Sequence, residues 1–153
     1  ASICFQARPG MMLDFGAGCP GEGNIIPQNE ALQIAWPGIT WTHELTQAAS
    51  QRTAFWVIGD TNMAPFPVDL TTLFGLPASG CMLLTNPVNA IPVVTVGGGP
   101  GGGVAQLPIA LPATTNYIGV SLYTQWVVFD PLAQNGVLSV TPGIWTIVAP
   151  LGG

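Results

Sequence analysis

The sequence has no lysine, and Arg8 and Arg52 are its only strong bases. Charged residues make up 6% of the chain, against about 25% in an ordinary soluble domain. Nucleic-acid binding needs clustered Lys and Arg to neutralise phosphates, and so does a polybasic membrane surface, so both classes are excluded. Seven carboxylates outweigh the two bases, for a formal net charge of -5. Histidine occurs once, at His43, so a His-based acid–base or metal site would have to be built on that residue alone. The chain has no G-x-S-x-G elbow and no C-x-x-C pair, which leaves a serine hydrolase, a zinc site or a thioredoxin-type centre without support. No apolar stretch reaches about eighteen residues without a Gly, Pro or polar interruption, so no transmembrane helix is expected.

What is present is apolar. Hydrophobic residues make up 48% of the 153, five of them tryptophan, which argues against disorder and for one domain with a real core. Three cysteines, Cys4, Cys19 and Cys81, allow one disulfide and one leftover thiol. The sequence opens Ala1-Ser2-Ile3, as a mature chain does after signal-peptide cleavage at a small residue. Cysteine pairing, scarce charge and dense Gly/Pro turns point the same way, to a secreted protein in the extracellular space or at the cell surface.

Fifteen prolines and twenty glycines are spread along the chain, a spacing that helices rarely survive and short strands tolerate. Strands are predicted at 32–36, 53–58, 81–85, 91–96, 104–111, 117–129 and 145–148. In the sixth, Ile118, Val120 and Leu122 alternate with Gly119, Ser121 and Tyr123, the period-two pattern of a strand with one buried face. The expected fold is all-β, an antiparallel sandwich of jelly-roll or immunoglobulin-like type. The run 42–51 is the one stretch with helix-friendly composition, fitting one or two helical turns or a polar loop. The glycine run 97–103 lacks the Lys and Ser/Thr of a phosphate loop and reads as a flexible hairpin tip.

No catalytic constellation is expected, and neither a cofactor nor a metal. The carboxylates Asp14, Glu22, Glu30, Glu44, Asp60, Asp69 and Asp130 are scattered singly, and none has calcium-loop spacing. Asp60 and Asp130 read as turn initiators whose side chains bond nearby backbone. His43 reads as a solvated loop residue. Trp56 and Trp126 lie in strong strand patterns, where burial is the default. Trp41, beside the polar run, is the candidate exposed aromatic, able to stack on a sugar or anchor a protein contact.

The order of several short motifs resembles a family of uncharacterised secreted C-terminal β-sandwich domains of planctomycetes and related environmental bacteria. The matching pieces are Gly16-Ala-Gly-Cys-Pro-Gly21, Pro67-Val-Asp-Leu70, Gly80-Cys-Met-Leu-Leu84 and the segment from Ile118 to Asp130 that carries Y-x-Q. The resemblance covers roughly residues 16 to 149 and carries over no activity. It implies a secreted sandwich domain over 16–153 and a disulfide between Cys19 and Cys81, the two cysteines that match. It leaves residues 1–15 as an N-terminal extension holding the unmatched Cys4.

Two functions follow as expectations. The first is a structural protein that associates with itself in a filament, because so few charges guard its sheet edges. The candidate subunit contact is Ile3, Cys4, Phe5 and Ala7, in a segment that alternates Ile3, Phe5 and Ala7 against Ser2, Cys4, Gln6 and Arg8. The alternative is a secreted module that binds extracellular polysaccharide through Trp41.

Overall fold

A computed structural model describes residues 9–75 and 80–150. The fold is an all-β sandwich of antiparallel sheets. The large, six-stranded sheet runs in the order β1 (Met12–Phe15), β11 (Gly143–Ile147), β9 (Ser121–Phe129), β4 (Thr53–Gly59) and β7 (Asn89–Val94), with β10 (Leu138–Val140) also pairing with β9. The small sheet runs β2 (Gln28–Ala31), β3 (Thr40–Ala48), β8 (Gly103–Ala110). A third, two-stranded piece, β5 (Val68–Asp69) with β6 (Met82–Leu83), brackets the short helix α1 (Leu70–Phe74).

Alternation places the core between the two large layers. Trp41 and Leu45 of β3 meet Ala54 and Trp56 of β4 and Trp126 and Val128 of β9, all buried. Burying each tryptophan there removes the largest apolar surface a side chain can offer, on the order of 200 Å². A second core lies on the opposite face of the large sheet. Val57, Val127, Leu138 and Val140 are covered by Leu70 and Leu83 of the β5–α1–β6 piece.

Two devices hold that cover down. Cys19 and Cys81 form a disulfide with their Cα atoms 5.2 Å apart. The buried Gln125 of β9 acts as a substitute strand. Its Oε1 accepts from the Leu84 amide at 3.0 Å, and its Nε2 donates to the carbonyls of Met82 (2.9 Å) and Thr141 (3.1 Å).

Several local expectations change. The run 42–51 contains most of β3, not helical turns or a loop, because Thr42, Glu44 and Thr46 face outward while Trp41, His43 and Leu45 face the core. The strand expected at 32–36 is displaced to β2, just upstream. The Leu32 amide still bonds Thr42 O, but the next ladder position is taken by a side chain, Gln33 Oε1 accepting from Thr42 N at 2.7 Å. The strand expected from 117 starts at Ser121, since Thr115–Tyr117 is a 3₁₀ turn capped by Thr114. The segment assigned to the extension also contributes to the domain: β1 is an edge strand of the large sheet.

The glycine run joins β7 of one sheet to β8 of the other, with the two arms touching at a single Val96–Val104 bridge. It is a corner between the layers. Gly103 is required there, since a Cβ would overlap the Ala49 carbonyl.

Candidate interaction surfaces

His43 is the sole imidazole, and its place decides whether acid–base chemistry is available. It is buried, not solvated as expected, because period-two alternation in β3 turns it into the core. Its ring centroid lies 3.9 Å from that of Trp41 and 4.4 Å from that of Trp56, and neither ring nitrogen has a hydrogen-bond partner. Burial holds its pKa down at about 3, so the ring is neutral at physiological pH. Trp41 is also fully buried, which corrects the expectation of an exposed aromatic and removes the residue on which polysaccharide binding rested.

The carboxylates serve local structure. Asp130 is buried and accepts from the amides of Glu22 (2.8 Å) and Leu132 (3.0 Å), the turn-initiating role expected of it. Asp69 caps α1 through the Thr71 amide, which, with a lesser contribution from the Gly80 amide, lowers its pKa. Glu44 accepts from Gln106 Nε2, and Asp60 from Asn86 Nδ2. Among the described residues no three His, Cys, Asp or Glu side chains cluster as metal ligands would.

The sheet edges carry more information. On one flank of the sandwich the free edges are β7 and β8. Thr95 N donates to Arg52 O, and antiparallel alternation then turns the main-chain groups of Ala90, Pro92 and Val94 away from β4, onto the open edge. Pro92 has no N–H, and the Ala90 amide is taken by the Asn89 side chain at 2.9 Å. The same logic applies to β8. Leu111 N donates to Ile39 O, so Pro108, opposite Thr42, also stands where its missing N–H would have faced out. The row of donors on this flank is broken at Ala90, Pro92 and Pro108, which works against strand addition.

The other flank is built differently. Its edges are β1 of the large sheet and β2 of the small one, and neither contains proline. Ile147 N donates to Met11 O, which turns the amides and carbonyls of Met12 and Asp14 outward. Leu32 N donates to Thr42 O, which does the same for Asn29 and Ala31. Among the described residues no strand pairs with either edge. Between them runs a cleft of about 480 Å³, lined by Met12, Asp14, Asn29, Glu30, Ala31 and Ile144 among others. Asn29 Nδ2 crosses its floor to Thr124 O at 3.3 Å, tying the two sheets together.

A second feature is an apolar groove of about 500 Å³ on the outer face of the large sheet, lined by Phe55, Val57, Leu70, Leu83, Ala90 and Phe129 among others. Phe55 and Phe129 meet edge to face at 5.5 Å and are both half-buried.

Ile3, Cys4, Phe5 and Ala7, the candidate contact residues, lie outside the described residues. The residues that distinguish the flanks, Pro92, Pro108, Asn89 and Asp14, escaped the sequence reading. For the prolines a signal was available, since a proline inside a strand pattern marks an edge strand.

No family model, no curated protein and no solved structure matches the chain. Among the described residues no helix is long and apolar enough to cross a membrane.

Proposed function

We propose that the chain is a structural, self-associating extracellular protein, the subunit of a surface or released filament built by strand and apolar contacts. The observation that carries this reading is the unequal treatment of the two flanks. Pro92, Pro108 and Asn89 take donors away from the β7/β8 edges. The β1/β2 edges keep theirs, beside a cleft of about 480 Å³. An edge left able to pair, in a chain that blunts its other edges, is the expected design of a specific strand contact. The apolar groove under Phe55 and Phe129 supplies a second surface of the kind that subunit contacts bury.

Few charges favour the same reading, because little self-repulsion opposes close assembly. The Cys19–Cys81 disulfide is compatible with an oxidising compartment. Kinship with secreted planctomycete domains belongs to this proposal and rests on the motif order. Sedimentation velocity over a wide concentration range, with electron microscopy of the same samples, tests it. Growth of long, regular oligomers is expected. A monomer that persists at every concentration overturns the proposal.

A further inference from the structure

We infer that the strand received at the open flank is residues 1–8 of a second copy, laid along the free edge of β1. The inference rests on the self-association just proposed and names the partner at that surface.

The main chain of β1 offers the amides and carbonyls of Met12 and Asp14 to a neighbour. Its two faces differ in character. Leu13 and Phe15 point to the outer, apolar side, where Phe15 packs edge to face on Tyr123 at 5.7 Å. Met12 and Asp14 point into the cleft, with Asn29 and Ala31 of β2 across it. Residues 1–8 carry the same two-sided pattern, Ile3, Phe5 and Ala7 against Ser2, Cys4, Gln6 and Arg8. In extended form eight residues reach about 27 Å, ample for the four-residue β1. Placed with its apolar face beside Leu13 and Phe15, the segment turns its polar face, and Arg8 with it, toward Asp14.

The charges fit. Arg8 is one of two strong bases in the sequence, and Asp14 points into a cleft whose lining includes no base. A fold-back of the segment onto its own β1 is disfavoured by the connection. Gly10 and Met11, which such a hairpin would use as its loop, are bonded to Ile147 on the opposite side of β1, Gly10 N to Ile147 O at 2.7 Å and Ile147 N to Met11 O at 3.0 Å. The β7/β8 flank is the poorer receiver, since Pro92 and Pro108 lack the outward amide and that of Ala90 is already bonded.

Charge reversal in separate chains tests the contact. Full-length Arg8→Asp and Asp14→Arg variants are each expected to associate about tenfold more weakly than the parent by sedimentation velocity. Their circular dichroism should match the parent. The Arg8→Asp chain keeps an intact receiver and the Asp14→Arg chain an intact donor, and the converse contact carries a reversed, complementary pair, so mixing the two should restore association in alternating assemblies. Excess synthetic peptide of residues 1–8 should shorten the parent's assemblies. If the parent assembles and neither variant nor peptide alters it, another surface is the connector, and this inference fails while self-association stands. If the variants lose thermal stability and mixing restores nothing, the segment folds back within its own chain, and the inference is likewise overturned. A parent that never associates removes both readings.

Discussion

The imidazole of His43 lies tilted by 42° against Trp56, its ring centroid 4.4 Å from the indole's, with both nitrogens unpaired. A charged ring there would be desolvated with no counter-ion, which is why its pKa is held near 3. In the unfolded chain the same ring takes up a proton below about pH 6.5. Stability from this residue is therefore complete above pH 6.5 and is lost as the pH falls toward 3. Between pH 7 and pH 4 the loss should reach about 3 kcal/mol. Urea denaturation across that range checks it. His43→Leu, which leaves no orphaned nitrogen, should flatten this part of the profile; an unchanged slope would assign the acid sensitivity to other groups.

Removing the disulfide should weaken the fold by about 4 kcal/mol on chain-entropy grounds, given the 62-residue separation of Cys19 and Cys81. Denaturant midpoints of the parent and of the Cys19→Ser/Cys81→Ser variant measure this. Hydrogen exchange should rise first in β5, α1 and β6, while amides of β3, β4 and β9 around the tryptophans stay protected.

Gln125→Leu should cost roughly 3 kcal/mol or more, since it strips partners from the Leu84 amide and from the carbonyls of Met82 and Thr141 in a buried setting. Gln125→Glu keeps an acceptor for Leu84 but loses both donors, so it should not rescue stability. Thermal melts of the two variants decide the matter.

Restoring donors to the blunted flank should create a new contact. Pro92→Val with Pro108→Thr gives β7 and β8 outward amides opposite Phe55 and Thr42. The double variant is expected to aggregate by light scattering even when residues 1–8 are deleted. If it behaves as the parent does, the prolines are not what protects that edge.

Much of the architecture could be read from the sequence, and the misreadings have identifiable causes. The alternation in β4 and β9 is strong enough to mark Trp56 and Trp126 as core residues, and both are buried. The same period of two runs through Trp41, His43 and Leu45. There it was masked because the intervening residues are helix-tolerant and the inward row contains a histidine, a residue usually assigned to solvent. Leu32 and Ile34 carry strand-like apolarity, yet both stay largely exposed, because the Gln33 side chain ends the ladder at Thr42. The surfaces were less legible. Whether a proline guards an edge depends on which residue it faces across the ladder, and whether Asp14 and Asn29 share a cleft depends on two strands from different sheets. Such relations arise only when the layers are stacked.

The span between Cys19 and Cys81 also sets how the domain responds to mechanical load. Met12 pairs with Thr146, so both ends of the described chain leave the sandwich at the same end, from neighbouring antiparallel strands. Tension applied there peels β1 from β11 one hydrogen-bonded pair at a time, instead of shearing the whole ladder at once. From the N-terminal side unravelling halts at Cys19, and from the C-terminal side at Cys81. The 62-residue separation to Cys81 corresponds to roughly 200 Å of contour that cannot be drawn out while the sulfurs remain joined. Under load the stretches outside the disulfide can unravel, while the loop between the two cysteines is held in reserve behind one covalent bond.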